Sequence, residues 1–142
     1  MTPMNRFYTT ALFLAAFLVF ATGCDSNDPL QEAIDLSGRW AGQITHRSFP
    51  GRIEMDLVDR DGSITGQWGW RFTSGTAGGT VTGERLADGT ARLRLRQESG
   101  RSDCTMIYEA RARSADDLSG PYENDEDTCN TPADGTISVT RQ

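Results

Sequence analysis

Short runs in which apolar and polar residues alternate occupy most of the chain between residues 37 and 142. In the run GRIEMDLVD, at 51–59, Ile53, Met55 and Leu57 alternate with charged residues. Successive side chains of a β-strand point to opposite faces, so this pattern gives a strand one buried face and one solvated face. An amphipathic helix needs apolar residues three or four positions apart instead. The pattern therefore predicts an all-β domain.

Eight such runs follow one another, and turn-forming residues separate them. Asp61-Gly62 and Asp88-Gly89 are hairpin signals, because tight hairpin turns favour these residue types. No convincing long helical pattern interrupts the series. We predict strands at 38–46, 51–59, 63–72, 78–87, 89–97, 104–113, 116–124 and 135–142.

Nearly all the connections between these strands are short enough to join neighbours in a hairpin. Such a series favours a single antiparallel up-and-down barrel of eight strands, which removes exposed edges by closing on itself. A β-sandwich is the alternative, because sandwiches use long crossing connections. The segment 125–134 is long enough for one.

The N-terminus has the three parts of a secretory signal. Arg6 supplies a positive charge, 11–20 is an unbroken apolar run, and small residues precede Cys24. A membrane-spanning helix needs roughly 17–25 apolar residues, and the run ends at Gly23 after starting at Ala11. A cleaved signal is therefore favoured over a permanent membrane helix.

Ala21-Thr22-Gly23-Cys24 resembles the lipobox of bacterial lipoproteins. The resemblance implies that Cys24 receives a diacylglycerol and becomes the first residue of the mature protein. Two or more acyl chains anchor a protein stably in a membrane. The predicted organisation is a signal peptide at 1–23, a lipidated N-terminus and flexible tether at 24–36, and a barrel at 37–142. The protein would be exported and lipid-anchored in the cell envelope, in the inner or the outer membrane.

Cys104 and Cys129 are the other two cysteines. In an exported protein such a pair is more often a disulfide than a metal site. A hairpin that turns at Ser114-Ala115 would place Cys104 opposite Asp125, only four residues before Cys129. The pair is therefore predicted to be bridged. With one histidine in the chain and no C-x-x-C motif, neither a metal site nor a cofactor is predicted.

The segment LSGRWAG, at 36–42, resembles the Gly-x-Trp opening of lipocalin-like barrels, the calycin superfamily. The resemblance implies that Trp40 packs across one end of the barrel. It also implies that an arginine of the last strand covers this tryptophan, and Arg141 is that residue here. Arg141 has the same parity as Ile137 and Val139, so it would face inward with them.

The inward positions carry many large apolar and aromatic side chains. An eight-stranded barrel is just wide enough to be filled by side chains or to hold one small ligand. Inward glycines, namely Gly42, Gly66, Gly83 and Gly120, are expected to leave room beside those side chains. The candidate ligand-lining residues are Met55, Trp68, Trp70, Phe72, Met106, Tyr108 and Tyr122. Arg92, Arg94 and Arg96 alternate with leucines and are expected on the outer face.

No catalytic residues are predicted. His46 is the only histidine, and no nucleophile elbow, phosphate-binding glycine loop or zinc-peptidase helix is present. The net charge of −6 argues against nucleic acid as a partner. Two functions remain open. The first is a membrane-anchored envelope lipoprotein whose barrel binds a small apolar or amphipathic ligand. The alternative is a non-catalytic structural or protein-interaction lipoprotein with a filled barrel core and an unknown protein partner.

Overall fold

The structure is a computed structural model, and it describes residues 34–47, 49–99, 104–125, 128–129 and 134–142. The predicted signal peptide, Cys24 and most of the predicted tether lie outside the described residues. Within the described ranges, no helix is long and apolar enough to cross a membrane.

All regular structure in the described residues is β-strand, and the prediction of eight strands is confirmed. The strand ends differ from the predicted ones by at most three residues. The strands are β1 (Gly38–His46), β2 (Phe49–Arg60), β3 (Ser63–Phe72), β4 (Gly75–Arg85), β5 (Thr90–Ser99), β6 (Thr105–Ser114), β7 (Asp117–Asn124) and β8 (Asp134–Arg141).

The strands form a closed antiparallel barrel in which each strand pairs with the next. The last strand, β8, pairs with β1 through seven successive residue pairs, from Trp40↔Arg141 to His46↔Gly135. This closure confirms the up-and-down barrel and excludes the two-sheet sandwich. It also gives every strand two neighbours, so neither the first nor the last strand is an exposed edge.

The interior is lined by the residues that the alternation placed there. Ile53, Met55 and Leu57 are each 1% exposed, whereas the residues between them on β2 are exposed. The arginines Arg92, Arg94 and Arg96 are exposed on the outside of β5, as predicted. Each large apolar side chain buried in this way contributes about 1.5–3 kcal/mol relative to an exposed one.

Both predicted hairpin signals lie in connections between paired strands, and the two connections differ in length. Asp61 and Gly62 both have positive φ angles, 54° and 88°, which is the conformation of a two-residue type I′ turn. The connection at Asp88-Gly89 is longer, since residues 86–89 separate β4 from β5. Within it, the Gly89 amide donates to the carbonyl of Leu86 at 3.2 Å. Asp88 accepts the amide of Thr90 at 3.0 Å and thereby ends the loop.

The β6–β7 hairpin differs from the prediction by one residue. Its turn is Ala115-Asp116 rather than Ser114-Ala115, since Ser114 pairs with Asp117. The register then shifts at a bulge between Ala112 and Ser114. A slip of one residue moves a whole strand's side chains to the other face. Continued regularly from the Ser114–Asp117 pair, the ladder would place inward residues of β6 opposite outward residues of β7. The bulge shifts the register by one residue, so that inward residues such as Tyr108 and Tyr122 lie opposite one another.

The expectation that inward glycines leave open space is wrong. A Cβ built on Gly42, Gly66, Gly83 or Gly120 would lie 2.4 Å or less from a carbonyl oxygen of the neighbouring strand. The backbone of that strand occupies the space where a side chain would be. Glycine allows this close approach, which a small and strongly bent barrel requires.

Gly66→Ala and Gly69→Ala on β3 form a matched pair that tests this constraint. A Cβ at residue 66 would lie 2.1 Å from the Asp56 carbonyl oxygen, whereas one at residue 69 meets its nearest atom at 3.8 Å. We expect Gly66→Ala to lower the free energy of unfolding by about 1–3 kcal/mol, the usual cost of overpacking. Gly69→Ala should change it little. Urea denaturation measures both, and equal losses would contradict the close approach.

Candidate functional site

Trp40 closes one end of the barrel, which we call the Trp40 end. Its side chain is fully buried, and its indole Nε1 donates to the Leu36 carbonyl at 2.9 Å. The guanidinium carbon of Arg141 lies 4.5 Å from the centroid of the indole ring. A cation at this distance over a tryptophan face is attracted by the ring quadrupole. The structure therefore contains the Trp40–Arg141 pair that the lipocalin-like resemblance implies.

Arg141 also ties together three segments at this end. Its Nη1 donates to the Ser37 carbonyl, and its Nη2 donates to the carbonyls of Asp35 at 2.7 Å and Ala115 at 3.1 Å. Its Nε forms an ion pair with Asp116 Oδ1 at 3.2 Å. The last strand is thus held to the chain that precedes β1 and to the β6–β7 turn.

Asp59 and Arg85 form a second clasp at the Trp40 end, which the sequence interpretation missed. The Asp59 side chain is 2% exposed, and its Oδ2 accepts Arg85 Nη1 at 3.0 Å and the Leu36 amide at 3.2 Å. Its Oδ1 accepts the Gly62 amide at 2.9 Å. Arg85 Nη1 also donates to the Ile34 carbonyl at 2.7 Å. A charged residue with the inward parity of β2 was the signal that could have identified Asp59.

The end of the predicted tether is part of the barrel. Leu36 is 2% exposed and belongs to the core, and Ile34 packs against it. The Ser37 amide donates to Asp35 Oδ1 at 2.8 Å. This bond lowers the pKa of the Asp35 carboxyl below its usual value, with the Arg141 and Arg85 charges acting in the same direction. Ile34, Asp35 and Leu36, which were predicted to belong to the tether, are therefore part of the barrel domain.

Three aromatic candidates form a ladder along β3. Trp68 and Trp70 meet edge to face with ring centroids 5.4 Å apart, and Trp70 and Phe72 do so at 5.1 Å. Trp68 is buried and donates through Nε1 to the Arg96 carbonyl at 3.2 Å. Trp70 and Phe72 are half-buried, so the ladder runs from the core toward the end opposite Trp40.

The other four candidate ligand-lining residues are all core residues, namely Met55, Met106, Tyr108 and Tyr122, and each is 3% exposed or less. Burial raises the pKa of the Tyr108 hydroxyl well above its usual range. Burial also raises the pKa of Tyr122 to about 12. The Tyr122 hydroxyl lies 2.8 Å from His46 Nδ1, which links β7 to β1. These four side chains belong to the cluster of buried residues that fills the barrel interior.

Cys104 and Cys129 form a disulfide with their Cα atoms 4.6 Å apart. Three residues after the β7 strand contact Thr105 at the start of β6: the Asp125 amide and the Cys129 sulfur lie on its carbonyl oxygen, at 2.8 Å and 3.3 Å, and Thr128 Oγ1 accepts its amide at 3.0 Å. Thr105 is accordingly only 6% exposed, although its side chain is on the face opposite to that of the core residue Met106. Closing a loop of this length adds about 3–4 kcal/mol by restricting the unfolded chain.

Three cavities lie outside the filled interior. The largest, about 880 Å³, is a groove on the outer face of β5–β8, which we call the outer groove. The second, about 680 Å³, lies at the Trp40 end, with walls that include Ile34, Leu36, Leu86, Ala112 and Leu118. The third, about 510 Å³, lies over β2–β4. Of the seven candidate ligand-lining residues, only Trp70 borders any of the three, and it borders the third.

The outer groove has a floor of small residues and walls of long charged ones. The floor includes Ser119, Gly120 and Pro121 of β7, together with hydroxyl side chains from β5 and β8. The charged lining residues are Asp88, Arg92, Glu109, Arg111, Arg113 and Asp117. Among the described residues, no group of three or more histidine, cysteine or carboxylate side chains could hold a metal ion.

No protein-family profile and no curated protein sequence matches the chain. Among solved structures, the barrel is similar to a de novo designed fluorescence-activating β-barrel, with a TM-score of 0.60 and 14% sequence identity. The match covers 78% of this chain and 96% of the designed one. At this identity the likeness shows the barrel fold and nothing about the function.

Asp59→Ala and Asp56→Ala on β2 test the clasp at the Trp40 end. Removing the Asp59 carboxylate takes the ion-pair partner from Arg85, which keeps its bond to the Ile34 carbonyl, and takes the acceptor from two backbone amides. We expect a loss of about 3 kcal/mol in the free energy of unfolding, as for other broken buried ion pairs. Asp56 is exposed, so its replacement should cost little. Urea denaturation compares the two variants, and indistinguishable midpoints would mean that Asp59 does not hold this end together.

Proposed function

We propose that this protein is a non-catalytic, lipid-anchored protein of the bacterial cell envelope that binds its partner outside a filled barrel core. The observation that carries the proposal is the packing of the interior. Trp40, Tyr108, Leu93 and Leu95 have no exposed surface, and the three cavities lie at the surface or at one end of the barrel. A filled interior leaves the outer surface as the place where binding can occur.

The lipobox-like sequence ending at Cys24 supports the anchor. Ile34, the first described residue, lies at the Trp40 end because Arg85 holds its carbonyl there. Ten residue steps separate it from Cys24, so the two can be at most about 36 Å apart. In a lipidated protein the Trp40 end would therefore lie near the membrane. The opposite end, with the disulfide-bonded loop, would point away from it.

The charge of the chain limits the class of partner. A net charge of −6 disfavours nucleic acid and anionic membrane surfaces as partners. Anchoring would then come from the acyl chains on Cys24 rather than from a general attraction between the barrel and anionic lipid. The binding partner would be a protein or a small polar molecule that reaches the outer face.

A small apolar or amphipathic ligand in the barrel mouth is the second candidate function. The cavity at the Trp40 end favours it, because its apolar walls and its volume of about 680 Å³ are within the range of small-molecule sites. Asp61, Arg85 and Arg111 also border this cavity, and their charges disfavour a purely apolar ligand. The structurally similar designed barrel is fluorescence-activating, but that property belongs to the designed protein.

Cys24→Ser tests the anchor. If Cys24 carries the lipid, the variant should lose metabolic labelling by radioactive palmitate and should no longer partition into detergent. The barrel should be unaffected, because Cys24 lies ten residues before the first described residue. Circular dichroism of the variant checks the fold. A Cys24→Ser protein that is still labelled would overturn the proposed anchor.

Titration with the fluorescent fatty acid cis-parinaric acid separates the two candidate functions. For a filled barrel we expect no emission that saturates at one molecule per chain. Ala112→Phe would occupy the cavity at the Trp40 end, whereas Arg96→Gln lies outside every cavity described above. Saturable emission that Ala112→Phe abolishes and Arg96→Gln preserves would replace the proposed function by the second candidate.

A further inference from the structure

The floor of the outer groove contains a gap in the β6–β7 ladder. Tyr108 pairs with Tyr122, and Arg111 pairs with Ser119, but the residue pairs between them are missing from the ladder. Pro121 lies in this gap, and it has no N–H to donate. Proline inside a sheet is otherwise confined to edges and bulges, yet this barrel has no open edge.

Gly120 completes the gap. A Cβ on this residue would lie 1.9 Å from the carbonyl oxygen of Glu109, so β7 approaches β6 here without a side chain between them. Because the next residue is proline, β7 offers the Glu109 carbonyl no N–H at residue 121. Gly120 and Pro121 therefore give the groove a floor with few side-chain atoms. They also leave the Glu109 carbonyl beside the groove without an N–H partner at residue 121.

Three arginines border this floor. The guanidinium groups of Arg92, Arg111 and Arg113 form no ion pair and no side-chain hydrogen bond within the described part of the chain. Carboxylates are nevertheless near two of them, because Arg92 lies opposite Glu84 and Glu109 and the charge of Arg111 acts on Asp88. Arg111 and Arg113 are two residues apart on β6, which is about 7 Å along a strand. Arg92 lies on the adjacent strand opposite Glu109, two residues along the ladder from Arg111, so all three long side chains border the same groove.

The remaining lining residues define the polarity of a ligand. The hydroxyls of Thr90, Ser119, Thr136 and Ser138 offer hydrogen bonds, and no aromatic side chain borders the groove. Glu109, Asp117 and Asp88 add three negative charges to the three positive ones. A ligand that fits both sets carries an anionic group for the arginines and hydrogen-bond donors for the carboxylates.

We propose that the outer groove binds a polar ligand through an oxyanion of that ligand, a phosphate or a carboxylate, held by Arg92, Arg111 and Arg113. The planar guanidinium group presents paired N–H donors that match the two oxygens of such a group. The volume of about 880 Å³ suits a small molecule or a lipid headgroup. This inference rests on the proposed function, because it assigns a ligand class to the outer surface.

The test is isothermal titration calorimetry of the detergent-solubilised full-length protein at low salt. Inorganic phosphate, acetate and sn-glycerol 3-phosphate are the probes, and dihexanoylphosphatidylglycerol is added below its micelle concentration. Saturable binding of a soluble anion supports the groove as a site for free ligands. Binding of the short-chain lipid without binding of the soluble anions supports a headgroup as the source of the same chemistry.

Three substitutions decide whether the binding is located in the groove. Arg92→Gln should weaken it by about tenfold or more, because it removes a charge-assisted hydrogen bond from a residue that borders the outer groove and neither of the other two cavities. Glu109→Gln should strengthen it, since a neighbouring negative charge is lost. Arg96→Gln is the matched control, because Arg96 is exposed on β5 and does not border the groove. If Arg92→Gln does not fold, as judged by circular dichroism, Arg113→Gln replaces it.

Two results would overturn the inference. One is the absence of saturable binding of any probe, and the other is an equal loss in Arg92→Gln and Arg96→Gln, which would indicate non-specific attraction to surface arginines. Neither result touches the filled core. The proposed function fails separately, through saturable binding of cis-parinaric acid in the cavity at the Trp40 end.

Discussion

The pairing of β8 with β1 is the interaction on which the other features of this molecule depend. It places Arg141 opposite Trp40, so the step that closes the ladder also brings a cation over the buried indole. Arg141 then holds the chain before β1, and Asp59 and Arg85 hold it from the other side. The residue pair that ends the β1–β8 ladder, Trp40 with Arg141, therefore also covers the Trp40 end of the barrel.

The small circumference of an eight-stranded barrel explains why its interior is full. Large side chains such as Trp40, Trp68 and Tyr108 belong to one buried cluster, while glycines let the backbone of adjacent strands come close. Space that a ligand would need inside is taken by side chains and by backbone. Concave surface instead appears at the Trp40 end and on the outside, where Gly120 and Pro121 of β7 border the outer groove.

Gly120 and Pro121 interrupt the regular pairing of β6 with β7. Two residue pairs are missing from the β6–β7 ladder there, and a bulge near the turn adjusts the register of the same hairpin. The disulfide and the loop after β7 cover the far end of β6 and support it. This irregularity borders the largest of the three cavities and three arginines that form no ion pair among the described residues, which is why the outer groove is the candidate site.

Local patterns in the sequence were sufficient for the strands, their inward faces and the Asp61-Gly62 turn, because alternation and turn chemistry act between near neighbours. The Trp40–Arg141 pair and the disulfide also followed from sequence, through family resemblance and through hairpin arithmetic. Three features did not: the clasp of Asp59 with Arg85, the close approach at Gly66 and the outer groove. Each depends on how strands far apart in sequence bend and meet once the barrel is closed. That geometry is decided only by the tertiary structure, because no local residue pattern encodes the distance between two strands.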